Sequence, residues 1–146
     1  MYLLDTNVIS ELRRKDRCDP NVRAWAEGRN PAELHISAVS ILEAQIGALR
    51  AERKDEKKGA VLRAWVDGLV AEIAERILPM DLAVVLRCAP LHVPDPKPDR
   101  DAYIAATALV NNLTVVTRNT RDFEGTGVKL FNPWIPTKGY RPWHTS

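Results

Sequence analysis

Cysteine is nearly absent from this chain, and the two that occur, Cys18 and Cys88, stand far apart. They make neither a disulfide framework nor a CxxC pair for zinc, so reduced, buried thiols are expected. Aromatic residues are scarce, at 6%, which leaves few rings on which nucleic-acid bases would stack. An excess of charge of one sign is missing too: 21 basic and 19 acidic residues give a formal net charge of +2. A general polyanion binder built on bulk charge is thereby excluded, and any nucleic-acid contact must come from local placement of cations. No apolar run approaches the roughly 18 residues that span a bilayer, and no basic segment followed by an apolar core opens the chain. No membrane contact is expected, and the expected location is the cytoplasm.

What the chain does contain is ordinary for a globular protein. With 45% hydrophobic and 27% charged residues over 146 positions, it is long enough to bury about two-thirds of its unfolded surface. A single domain over residues 1–146 is expected, with an irregular tail after about residue 134, where Pro136, Gly139 and Pro142 interrupt any regular pattern.

Hydrophobic periodicity supplies the elements. Met1 to Leu4 is a short apolar run that stops at Asp5, Thr6 and Asn7, after which Val8, Ile9 and Leu12 recur at helical spacing. A short helix carries Val22, Trp25 and Ala26 and ends near Gly28; a strand covers Leu34 to Ile36; Ser37 caps the next helix, with Val39, Leu42, Ile46 and Leu49 as its apolar stripe. The charged run Arg50 to Lys58 reads as a solvated turn, and Val61 to Ile73 as a wide amphipathic helix. Ile77 and Leu78 form a minimal strand, Leu82 to Leu91 a helix, and VPDPKPD a loop, because each proline removes a backbone donor and restricts its predecessor. Asp101 to Val110 is apolar on every side, as in an interior helix, and strands at Thr114 to Thr117 and Lys129 to Phe131 complete the chain. Strands alternating with helices predict an α/β fold with a parallel sheet, since parallel crossovers need a helical return.

In open α/β sheets, ligands bind beyond the carboxyl ends of the strands. Asp5 follows the first strand, Asn119 and Asp122 follow the strand ending at Thr117, Asp101 opens the interior helix, and Glu43 lies within two turns of the second strand. These positions allow all four acids to converge on one sheet edge. Two carboxylates about 5 Å apart repel by roughly 3 kcal/mol at an effective dielectric near 20, so such a cluster needs a cation. Oxygen donors without cysteine or histidine favour Mg²⁺ or Mn²⁺ over zinc. His35, His92 and His144 show no ligand spacing and read as packing or surface residues. Carboxylate-held metals activate water and neutralise charge on a phosphodiester, and Lys97, Arg100, Arg118 and Arg121, together with Arg13 and Arg14, are the candidate phosphate contacts.

Each acid also has a plain alternative. Asp5 fits as a helix cap, Asp101 as an acid favoured by the helix dipole, Glu43 as the border of an apolar stripe and Asp122 as a turn residue. No single position carries the case.

Three segments taken together do: MYLLDTNVISEL, HISAVSILEAQIGALR and DAYIAATALVNNLTVVTRNTRDFEGTGVKLFNPW. In this order they resemble the PIN-domain family, and within it the VapC-type toxins of type II toxin–antitoxin (VapBC) pairs. The resemblance covers nearly the whole chain. It implies a three-layer α/β/α sandwich with a central parallel sheet of four to five strands, and a Mg²⁺- or Mn²⁺-dependent endoribonuclease. Asp5, Glu43, Asp101 and Asp122 match the family's four acids, and Thr6, Asn7, Thr117 and Asn119 match its supporting polar positions. It also implies a homodimer and a cognate VapB-type antitoxin, forming a hetero-oligomer with the antitoxin's C-terminal segment across the active-site groove. Exposed apolar surface on the helices around Val22 to Trp25 and Val61 to Ile73 would suit either interface, and core packing explains those residues equally well.

Other classes fit less well. A signalling receiver domain needs adjacent acids after an early strand and a lysine after the last one, neither of which is present. A phosphatase of the haloacid dehalogenase type needs Asp-x-Asp, where this chain has Asp5-Thr6-Asn7. A catalytically inactive RNA- or protein-binding PIN module is the remaining alternative, and retention of all four acids argues against it.

Overall fold

The computed structural model describes residues 1–136, and in it five strands form one parallel sheet in the order β3-β2-β1-β4-β5. The strands are β1 (Tyr2–Leu4), β2 (Leu34–Ser37), β3 (Ile77–Leu78), β4 (Thr114–Val116) and β5 (Lys129–Phe131). The helices are α1 (Thr6–Arg13), α2 (Pro20–Glu27), α3 (Ala38–Lys54), α4 (Glu56–Ile73), α5 (Leu82–Cys88) and α6 (Asp99–Asn111). The α/β class and the five-stranded parallel sheet are as the sequence predicts.

Strand pleating sorts the core into two layers. Leu3 and Val115 point to one face, where Val39 of α3, Ile104, Ala105 and Ala108 of α6, and Phe123 enclose them. Leu4, Ile36 and Val116 point to the other, against Val8 and Ile9 of α1 and Val22 and Trp25 of α2, with Trp65 and Leu69 of α4 packed alongside. The result is helices on both faces of the sheet, the arrangement a wholly parallel sheet needs because neither face tolerates water. Helix α6 is the central brace: Ala102, Ile104, Ala105, Ala106, Thr107 and Ala108 are all buried, and its small alanines let it lie close to the sheet.

Strand β1 sits at the middle of the order. The chain moves outward from it through β2 and β3, then returns to its other side with β4. This makes the carboxyl ends of β1 and β4 the topological switch point, where adjacent crossovers diverge and leave a crevice. Leu4 pairs with Val116 in that register, so Asp5 and Thr117 emerge side by side.

Two expectations are corrected. Arg50 to Lys58 is not a turn: α3 continues to Lys54, and only Asp55 separates it from α4, accepting the Lys58 N–H at 3.2 Å as the new cap. Arg, Ala, Glu and Lys are strong helix formers, so charge density there marks exposed helix rather than loop. Gly59 makes the tight reversal possible, since a Cβ at that position would stand 2.2 Å from the Glu52 Cα. Nor do Val22 and Trp25 offer an exposed apolar surface; both are buried in the core. Val61 of α4 is exposed, while Val66 faces inward. Cys18 and Cys88 are free, buried thiols, as expected. No helix among the described residues is long and apolar enough to cross a membrane. Of the expected irregular tail, residues 132–136 carry no helix or strand, and Gly139, Pro142 and His144 lie outside the described residues.

Candidate active site

Asp5 is built in by the backbone. It is 7% exposed, its N–H donates to the Val116 carbonyl at 2.9 Å, and its Oδ1 accepts the Thr6 N–H at 2.7 Å. Oδ2 accepts the Thr117 hydroxyl at 2.8 Å and the Asn7 side-chain amide at 3.3 Å. The cap role and the site position therefore coincide in one carboxylate. Burial raises its pKa, against which the Thr117 and Thr6 hydrogen bonds work, and the charge of Asp122 adds to the rise.

The supporting polar residues form one network around it. Asn7 donates to the Thr117 hydroxyl oxygen at 3.2 Å, and its own carbonyl oxygen accepts the Arg118 N–H at 3.3 Å. Asn119 contributes its backbone N–H to Thr117 Oγ1 at 3.1 Å. The Thr6 hydroxyl donates to Glu43 Oε1 at 3.2 Å, while Glu43 Oε2 faces the Arg100 guanidinium at 3.8 Å. Glu43 is raised by partial burial and by Asp5, with Thr6 and Arg100 opposing.

Asp101 and Asp122 complete the edge. Asp101 lies in the first turn of α6 and Asp122 in a 3₁₀ turn, Thr120–Phe123, after β4. Burial and the charges of Asp5, Asp122 and Glu43 push Asp101 up to about 6. All four acids thus share one electrostatic space, which their sequence separation alone does not reveal. Among the described residues, no three His, Cys, Asp or Glu side chains stand in a closed ligand arrangement.

A family model described as PIN domain matches residues 2–129. The chain belongs to the PIN-domain family. Among the relatives of this PIN domain is the VapC ribonuclease Y4jK of Sinorhizobium fredii, 34% identical over 142 residues, covering 93% of this chain and 99% of the relative. Another is the toxin FitB of Neisseria gonorrhoeae, 37% identical over 142 residues, with 92% and 99% covered. The crystal structure of FitAcB from Neisseria gonorrhoeae superposes with a TM-score of 0.80 at 36% identity, covering 92% of this chain and 99% of that one.

The expected basic residues are placed unevenly. Arg121 is exposed near Asp122, and Arg100 is engaged with Glu43. Lys97 donates its Nζ to the Glu124 carbonyl at 3.1 Å, so it ties two loops together. Arg118 lies over the Trp134 ring, its guanidinium carbon 5.3 Å from the ring centroid. Arg13 sits over Trp65 at 5.7 Å, on the rim of an apolar cleft of about 450 Å³ between α1, β2 and α4. That cleft is the larger concavity but holds none of the acids; a smaller one of about 250 Å³ adjoins it at Arg13 and Trp65 and reaches Thr6 and Glu43. Sequence reading passes over Trp134. The only signal for it was the NPW that closes the last matching segment.

Proposed function

We propose that this PIN domain, one unit over residues 1–146, is the toxic component of a type II toxin–antitoxin pair, a Mg²⁺- or Mn²⁺-dependent endoribonuclease acting in the cytoplasm. The observation that carries the reading is the meeting of four carboxylates at the β1/β4 switch point, where burial and, after it, the charges of Asp5, Asp122 and Glu43 push Asp101 up to about 6. Among the described residues, Arg100, facing Glu43 at 3.8 Å, is the one cation that pairs with any of the four acids. An all-oxygen set of this kind fits a hard divalent cation.

Asp5, Asp101 and Glu43 would hold the metal, with Asp122 completing the acidic ring. When bound, the metal supplies a water made acidic enough to attack phosphorus, and charge neutralisation on the phosphodiester. The Thr117 hydroxyl and the Thr6 N–H favour the charged form of Asp5 against the burial that raises its pKa, and the Asn7 amide helps to aim it. Thr6 does the same for one oxygen of Glu43 and leaves the other toward Arg100. The Asn119 N–H completes the hydrogen bonding of the Thr117 hydroxyl, fixing the direction in which that hydroxyl donates. Arg121, exposed beside Asp122, and Arg100, beside Glu43, would pair with flanking phosphates of an RNA strand. Hydrolysis would join the water oxygen to phosphorus and break one P–O ester bond, with the water's proton taken up by a carboxylate of the cluster and a proton delivered to the leaving sugar oxygen, which departs as a hydroxyl.

An antitoxin bound across the groove would silence the site, and Arg13 on the rim of the adjoining clefts offers it a cation. A homodimer is part of the same reading, with exposed Val61 of α4 available to it. Cleavage of a structured RNA pool by the purified, antitoxin-free protein tests the function. Discrete fragments that vanish with chelator and in Asp5→Asn are expected; activity that survives in Asp5→Asn contradicts the assignment. No cleavage by the wild-type protein with metal demonstrably bound favours the inactive binding module instead.

A further inference from the structure

Beside the acids, on the β4–β5 side, a second groove of about 320 Å³ is lined by Arg14, Arg17, Pro20, Arg118 and Trp134, with Glu11 and Asp19 in its wall. We propose that it is a nucleotide subsite for single-stranded RNA, in which one base stacks on the Arg118 guanidinium laid over Trp134 while the adjoining phosphate pairs with Arg17. This rests on the ribonuclease reading and gives it a determinant of where the strand lies.

The groove begins one residue from the site. Arg118 follows Thr117, whose hydroxyl donates to Asp5, and the Arg118 N–H donates to Asn7 Oδ1. A strand whose scissile phosphate lies over the acids therefore has its neighbouring nucleotide within reach of Arg118.

The platform is held in place on both sides. The Arg118 carbonyl accepts the Asn132 amide at 3.4 Å, Asn132 Oδ1 accepts the Trp134 N–H at 2.9 Å, and the Trp134 carbonyl accepts the Asn21 amide of α2 at 3.1 Å. The Arg118 guanidinium carbon stands over the Trp134 ring, and Arg118 is exposed, so a base can reach the pair from solvent. Arginine planes and aromatic rings are the surfaces on which unpaired bases stack.

The charges in the groove are also sorted. Glu11 accepts the Asp19 N–H at 2.8 Å and pairs with Arg14 at 3.3 Å. Asp19 accepts the Asn21 and Val22 N–H groups as the cap of α2. Both acids are thus occupied, and among the described residues no carboxylate pairs with Arg17 or Arg118. A protein partner would favour the apolar cleft on the opposite side of α1; this one presents three arginines and one ring, with both of its acids engaged within the protein.

The test is binding, measured in chelator so that cleavage plays no part. The anisotropy of a labelled uridine octamer is titrated with the full chain, and with Arg118→Ala, Arg118→Lys and Arg17→Gln. Both Arg118 variants should weaken binding by about 5- to 100-fold, the range base stacking supports, even though lysine keeps the charge. Arg17→Gln should reduce the slope of log affinity against log salt by about 0.7, the value for one lost phosphate contact on a single strand. An octamer with one abasic residue, moved along the strand, should abolish the Arg118→Lys effect at one position only. Wild-type affinity in Arg118→Lys overturns the stacking role, and wild-type affinity in all three variants overturns the subsite whether or not the protein cuts RNA.

Discussion

The two halves of the acidic edge are built differently. At the β1 end, Asp5 is pinned by the Thr6 N–H, the Thr117 hydroxyl and the Asn7 amide. Across the crevice, the Asp101 and Asp122 side chains make no hydrogen bond or ion pair among the described residues, and their charges repel one another and Asp5. One half is fixed by the fold before any cation arrives, and the other is held only by the helix and the turn that carry it. The carboxylates share an electrostatic space without forming a closed ligand set among the described residues.

The contrast breaks most severely at Asp5. Asp5→Asn should lower metal affinity and cleavage by more than about 100-fold, beyond the 10- to 100-fold typical of a supporting residue. Calorimetric metal titration and a cleavage time course check this. Thr117→Val keeps the volume but removes the hydroxyl that serves Asp5, Asn7 and the Asn119 N–H. It should cost about 1–3 kcal/mol in urea denaturation and weaken metal binding by about 10- to 100-fold. Gly59→Ala supplies the control. By forcing α3 and α4 apart at Glu52 it should cost about 1–3 kcal/mol of stability, with metal affinity per folded molecule unchanged.

The unheld half answers to pH. Asp101 binds its proton more tightly folded than unfolded, its pKa pushed from 3.8 up to about 6, so folding of the metal-free protein loses stability as pH rises through that window. Asp5 and Glu43 shift in the same direction. The melting temperature without metal should therefore fall between pH 4 and 6.5, and Asp101→Asn should flatten the fall and leave the protein more stable than wild type at pH 7.5. The smallest effect is expected at exposed Asp122: Asp122→Asn should weaken metal binding by less than about tenfold, as read by calorimetry.

Much of this was legible in the sequence because the relevant constraints are local. An apolar run ending in Asp5-Thr6-Asn7 marks a strand that becomes a capped helix, and the all-apolar stretch after Asp101 marks an interior helix. The alternation of elements then placed the acids near one edge. What stayed hidden depends on chain closure. The Arg50 to Lys58 run looked like a turn because charge reports exposure and not conformation, and the fold spends that exposure on the end of α3 and the start of α4. Val22 and Trp25 fit an amphipathic face equally well whether it meets the core or a partner. The Arg118–Trp134 stack needs β4, β5 and α2 brought together across 113 residues of sequence, as the Asn21–Trp134 hydrogen bond shows, and no periodicity encodes that.

The central claim is that the four acids form one divalent-cation site. Calorimetric titration of Mn²⁺ into the antitoxin-free protein at pH 7.5, in wild type and in Asp5→Asn, Glu43→Gln, Asp101→Asn and Asp122→Asn, tests it directly. The account predicts saturable binding in wild type, lost in Asp5→Asn and Asp101→Asn and weakened in the other two. Undiminished binding in Asp5→Asn and Asp101→Asn would put the metal elsewhere and contradict it.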